Sequence, residues 1–143
     1  MKKFFLLLSF LFSVSLFSQQ LYWYDVILEV NGEDTVQFEE AVDSYYSSVD
    51  FPADVTMTFS TIPLKGKGYE ETHILSFVSP SASSLADFRS SLSGDEWEKY
   101  LDGLRPYINS ARTWAGNASN IYNEQEFNAI GQAWVFKVKN KDI

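Results

Sequence analysis

The chain has 143 residues, a formal charge of −8 and no cysteine. Without cysteine there is neither a disulfide framework nor a lipid anchor on an N-terminal cysteine, and so acidic a surface repels phosphate backbones, which removes nucleic acid from the expected partners. The 12 Phe, 8 Tyr and 4 Trp supply the large apolar area that a domain without covalent cross-links must bury.

Lys2 and Lys3 open the chain, Phe4 to Phe17 is an apolar run interrupted only by serines, and Ser18-Gln19-Gln20 follows as a cleavage zone. A run this short, with no charged stop after it, predicts a secretory signal peptide over residues 1–18 rather than a membrane span. The expectation is export to the periplasm or the extracellular space, with no membrane span after cleavage. The remaining 19–143, about 125 residues, has the length of one domain.

Alternation over Leu21 to Val30 predicts the first strand, with Tyr22, Tyr24, Val26, Leu28 and Val30 on one face and Trp23, Asp25, Ile27 and Glu29 on the other. Asn31-Gly32 turns the chain. Asp34 and Gln37 stand at capping-box spacing, and Phe38, Val42, Tyr45 and Val49 recur at helical intervals, so a helix is expected to end before Phe51-Pro52. A second strand is expected from about Asp54 to Ile62, and Pro63 to Glu70, with Lys65-Gly66-Lys67-Gly68 at its tip, reads as a solvated hairpin loop.

Glu71 to Val78 is apolar on both faces, Leu75 and Phe77 on one and Ile74 and Val78 on the other, as in a strand inside a sheet. It also holds the chain's lone histidine, His73. Leu85, Phe88 and Leu92 form a short helical stripe after Ser84. Ser93 and Glu96 then offer a second helix start, and Trp97, Leu101, Leu104 and Ile108 continue the stripe, with a kink or restart at Pro106. Ala111 and Trp114 extend that helix toward Gly116 on the same spacing. Asn117 to Asn128 reads as a polar loop, with a glycosylation sequon at Asn117-Ala118-Ser119, and Gln132 to Val138 as the last strand.

Strand, helix, strand, strand, broken helix, strand is the order of the ferredoxin-like βαββαβ fold, an α+β antiparallel sheet with its helices on one face and strands one and three in the middle. The layout, together with Ser-Gly-Asp-Glu-Trp-Glu-Lys-Tyr-Leu over 93–101 and Leu-Arg-Pro-Tyr-Ile over 104–108, resembles the dimeric α/β-barrel superfamily, which includes antibiotic-biosynthesis-monooxygenase-like and NIPSNAP-like proteins. The resemblance implies a homodimer formed through the open sheet faces and a ligand or active site in the cavity they enclose.

No nucleophilic triad, zinc-ligand spacing or nucleotide-binding glycine loop occurs, and one histidine without cysteine gives no basis for a transition-metal site. No cofactor is implied. His73 admits two readings: a base or haem ligand facing the cavity, or a half-buried histidine hydrogen-bonded within the sheet. An unsatisfied imidazole under the helices would be costly, so the expectation puts His73 on the open face with Leu75 and Phe77, and turns Ile74 and Val78 to the helices.

The expected ligand site is then Trp23, Asp25, Ile27, Thr58, His73, Leu75, Phe77 and Lys137. Trp97 is expected in the core. The expected function is binding of a small apolar or aromatic ligand, or a protein partner, on the open face of an exported homodimer. The alternative is a cofactor-independent monooxygenase-like enzyme using His73 in the same cavity.

Overall fold

The computed structural model describes residues 20–118. β1 (Leu21–Val30) leads through a 3-10 turn at Gly32–Asp34 into α1 (Thr35–Tyr46), followed by β2 (Thr56–Thr61) and β3 (His73–Ser79). Two short helices follow, α2 (Ala82–Ser91) and α3 (Asp95–Leu104); a 3-10 turn at Arg105–Tyr107 then delivers β4 (Ile108–Ala118). The strands form one antiparallel sheet in the order β2-β3-β1-β4. This is the ferredoxin-like α+β arrangement, and β1 and β3 are the central strands.

The last strand lies earlier than the sequence suggests. Ala111 and Trp114 belong to β4, not to a continuation of α3, and β4 pairs with β1 from Leu21↔Ala118 to Val30↔Ile108, with an irregularity between Glu29 and Val30. Two physical causes combine here. Pro106 sits within the 3-10 turn that stops the helix, and β1 is a central strand whose second edge needs a partner. The expected strand at 132–138 lies outside the described residues, as do Lys137 and the expected signal peptide over 1–18.

The helix caps also differ from the sequence spacing. Ser81, not Ser84, caps α2, its hydroxyl accepting the Ser84 backbone N–H at 3.2 Å. At α3 the cap residue is Gly94, at φ +85°, a backbone conformation that suits glycine and displaces Ser93 from the role.

The core lies between the sheet and the helices. Tyr24, Leu28 and Val30 of β1 and Leu75 and Phe77 of β3 meet Phe38 and Val42 of α1, Leu85 and Phe88 of α2 and Leu104 of α3. Aromatic packing dominates: Tyr24 stacks on Phe77 at 4.5 Å, Phe51 on Phe88 at 4.8 Å and Tyr45 on Tyr100 at 4.0 Å. Burial raises the Tyr24 phenol to about 12, and raises those of Tyr46 and Tyr100 further. Trp97 is half-buried, tilted against Tyr45 and Tyr100 at the rim of the helical layer. It therefore supports the layer's edge and is not the core anchor expected of it.

Candidate functional site

The pairing of β1 with β3 decides which face of β3 meets the helices. Tyr24 lies opposite Phe77, Val26 opposite Leu75 and Leu28 opposite His73. Because Tyr24 and Leu28 are core residues, His73, Leu75 and Phe77 share the helix-covered face. This corrects the expectation that these three line the open face, and Ile74 and Val78 take their place there.

The objection to a histidine in the covered interior disappears once its partners are seen. His73 is 2% exposed and packs between Phe38, at 5.1 Å, and Phe59, at 5.7 Å. Its Nδ1 lies 2.7 Å from Thr72 Oγ1 and its Nε2 lies 3.2 Å from Glu39 Oε1 on α1. With the proton on Nε2, the ring donates to Glu39 and accepts from Thr72, so both nitrogens are satisfied. Thr72 Oγ1 also accepts the Val30 backbone N–H at 3.0 Å. His73 thus ties α1 to the end of the β1–β3 pair, and neither Asp25 nor Thr58 is its partner.

The open face is built in cross-strand rows. One row runs Thr56–Val78–Trp23–Gly116, the next Thr58–Ser76–Asp25–Trp114, the next Ser60–Ile74–Ile27–Arg112. Trp23, Asp25, Ile27 and Thr58 therefore do share a face, as expected from alternation. Trp23 lies flat over the backbone of Gly116, where a Cβ would come within 2.7 Å of its ring. In the middle row the Ser76 hydroxyl donates to Asp25 Oδ1. Burial raises the Asp25 carboxyl above its ordinary value, against the smaller opposing effect of that hydrogen bond.

Arg112 of the third row engages a second carboxylate. Arg112 holds Oε1 of Glu71, a residue only 5% exposed, whereas Glu71 Oε2 is buried with no hydrogen-bond partner among the described residues. Ile27 beside them is 7% exposed. Farther along β1, Glu29 accepts from Ser110 Oγ at 3.0 Å and from Asn109 Nδ2 at 3.4 Å. Among the described residues no group of three or more His, Cys, Asp and Glu side chains could hold a metal ion.

Sequence reasoning missed Ser76, Glu71, Trp114 and Arg112 as members of this face. The last two carried a legible signal: Ser110, Arg112, Trp114 and Gly116 alternate with Ala111, Thr113 and Ala115. That period of two competed with the helical spacing of Ala111 and Trp114. Elsewhere, a shallow open groove of about 410 Å3 runs between α1 and β2, lined by Val42, Asp43, Tyr46, Phe51, Met57 and Phe59 among others.

The fold is shared with solved structures. A NIPSNAP family protein of Agrobacterium tumefaciens superposes with a TM-score of 0.53 at 13% identity, over 76% of this chain and 99% of that one. An antibiotic-biosynthesis-monooxygenase-like protein of Caulobacter crescentus gives 0.50 at 12% identity, over 78% and 99%. A hydroxynitrile lyase of Passiflora edulis gives 0.51 at 9% identity, over 72% and 97%. The first two belong to the groups that the sequence layout resembles, and at such identities the likeness of all three is one of fold. No protein-family model and no curated protein sequence matches the chain.

Proposed function

We propose that this is an exported protein whose open sheet face pairs with that of a second copy, and that the enclosed space binds a small apolar or aromatic ligand. One observation carries this reading: the face away from the helices joins apolar side chains, Trp23, Ile27, Ile74, Val78 and Trp114, to a partly desolvated carboxylate, Asp25. An apolar sheet face of that extent is seldom left in water, and self-association through one patch gives a closed dimer. A mostly apolar surface with one placed polar group is also the usual make-up of a small-molecule site. Export rests on the N-terminal segment of the sequence.

The site residues on this reading are Trp23, Asp25, Ile27 and Thr58, joined by Ile74, Ser76, Arg112 and Trp114. An enzymatic reading through His73 has lost its residue, because that side chain lies under α1. A cofactor-independent oxygenase would instead have to use Asp25 as its base, which the raised carboxyl favours as a specific observation.

Sedimentation of the mature protein at micromolar concentration is the test. The expected result is a species of twice the chain mass, reduced to one chain mass by Ile74→Lys with the fold retained. A clean monomer for the unaltered protein would overturn the proposal.

A further inference from the structure

The charges on the open face are unbalanced. Among the described residues it carries Asp25, Glu29 and Glu71 against a single guanidinium, Arg112, and Arg112 is engaged by Glu71. Glu29 already accepts from two neutral side chains. Among the described residues Asp25 accepts one hydrogen bond, from Ser76, although a carboxylate has room for about four. Glu71, itself almost wholly buried, leaves Oε2 without a donor among the described residues. A buried acceptor in that condition is costly, and it is tied to this face through Arg112, whose row, that of Ile27, adjoins the row of Asp25 and Trp114.

Asp25 and the Arg112-held Glu71 therefore have spare capacity for donors among the described residues, on a surface that also carries indole, aliphatic and hydroxyl side chains. Neutral aromatic ligands would fill the apolar part and leave the carboxylates unanswered. Anionic ligands would add repulsion in a poorly solvated place. An ammonium group offers three donors and a charge, and the indole of Trp114, in register with Asp25, offers its face to a cation.

We propose that the ligand of the open face is a cationic arylalkylamine, its ammonium held by Asp25 and its ring against Trp114 and Ile27. The assignment rests on the aromatic-site reading above and narrows it. The raised Asp25 carboxyl agrees with it, because a bound cation restores the ionised form that burial disfavours.

The experiment is a calorimetric titration of the mature protein with three probes of one size: 2-phenylethylamine, 2-phenylethanol and phenylacetate. The amine should bind about tenfold or more tightly than the alcohol, and phenylacetate weakest, as expected when a charge-assisted hydrogen bond is gained or opposed. Asp25→Asn, which keeps an acceptor for Ser76, should weaken the amine by about tenfold and leave the alcohol within about twofold. Alcohol binding as tight as amine binding, or amine binding unchanged in Asp25→Asn, overturns the cationic assignment while the aromatic site stands. If none of the three probes binds, the aromatic-site reading fails and the assignment with it.

Discussion

The two faces of one sheet are finished differently. On the covered face the polar groups are matched: His73 has a partner for each nitrogen, and Thr72 serves both the histidine and the β1 backbone. Tyr24, Phe77, Phe38 and Phe88 interlock around them. On the open face, among the described residues, Asp25 is partly desolvated with one donor, and the Arg112-held Glu71 keeps an oxygen with no partner. Native interiors rarely leave such groups unanswered. Stability is built into one face, and on the proposed reading a ligand or a second copy supplies what the other face lacks among the described residues.

The sharpest way to break this contrast is to empty the covered face. Phe38 and Phe77 are fully buried, so Phe38→Ala or Phe77→Ala should cost about 3–5 kcal/mol by chemical denaturation. Trp114→Ala and Trp97→Ala, each at a half-buried position, should cost less than either; equal costs would erase the distinction between the faces. His73→Ala comes next, at about 2–3 kcal/mol, since it strands Thr72 and Glu39 and leaves a void between two rings. A His73→Ala protein as stable as its parent would put the imidazole outside the core.

Titration sharpens the contrast without mutation. The phenols of Tyr24, Tyr46 and Tyr100 are raised by burial, so the folded state holds protons that the unfolded chain releases near pH 10. Their contribution to stability is complete below about pH 10 and is lost as pH climbs toward about 12, where Tyr24 ionises. Melting temperature should fall across that window while the ultraviolet phenolate signal of the folded protein lags that of free tyrosine. Ordinary titration of every tyrosine in the folded state would contradict the packing.

Asp25 runs the same sign on the acid side of neutrality. Its folded carboxyl is raised, so its contribution is present at low pH and lost as pH rises through the raised value. Asp25→Asn should therefore raise the melting temperature at pH 7, the mark of a residue kept for something other than stability. A lower melting temperature would make Asp25 structural. The smallest effect is expected at Gly116→Ala, where displacing Trp23 should cost on the order of 1–3 kcal/mol at most and change its fluorescence.

Local patterns carried much of the fold. Alternation in Leu21–Val30 and the two-sided apolarity of Glu71–Val78 identify the two central strands, and the break between α2 and α3 is visible at Ser93-Gly94. What the pattern of β3 could not say is which of its two apolar faces meets the helices. Leu75 and Phe77 are as hydrophobic a pair as Ile74 and Val78, the polarity of His73 pointed the wrong way, and the choice is made by register against Tyr24 and Leu28 and by Glu39, which is 34 residues away in sequence. A partner at that separation leaves no local trace. β4 was hidden for another reason: Ala111 and Trp114 satisfy a helical spacing, and only the unpaired edge of β1 selects the strand. Asp25 and Trp23 were legible as neighbours on one face; Ser76 and Trp114 became so only with the strands paired.

The contrast between the faces is tested most directly by mapping a neutral aromatic probe onto the folded protein. In a 1H–15N spectrum of residues 19–143, 2-phenylethanol should shift the indole N–H signals of Trp23 and Trp114 and the amides of Asp25, Ile27 and Ser76, leaving the Trp97 indole in place. Shifts confined instead to Val42, Tyr46, Met57 and Phe59 would put the ligand in the groove between α1 and β2 and contradict the assignment of function to the open face.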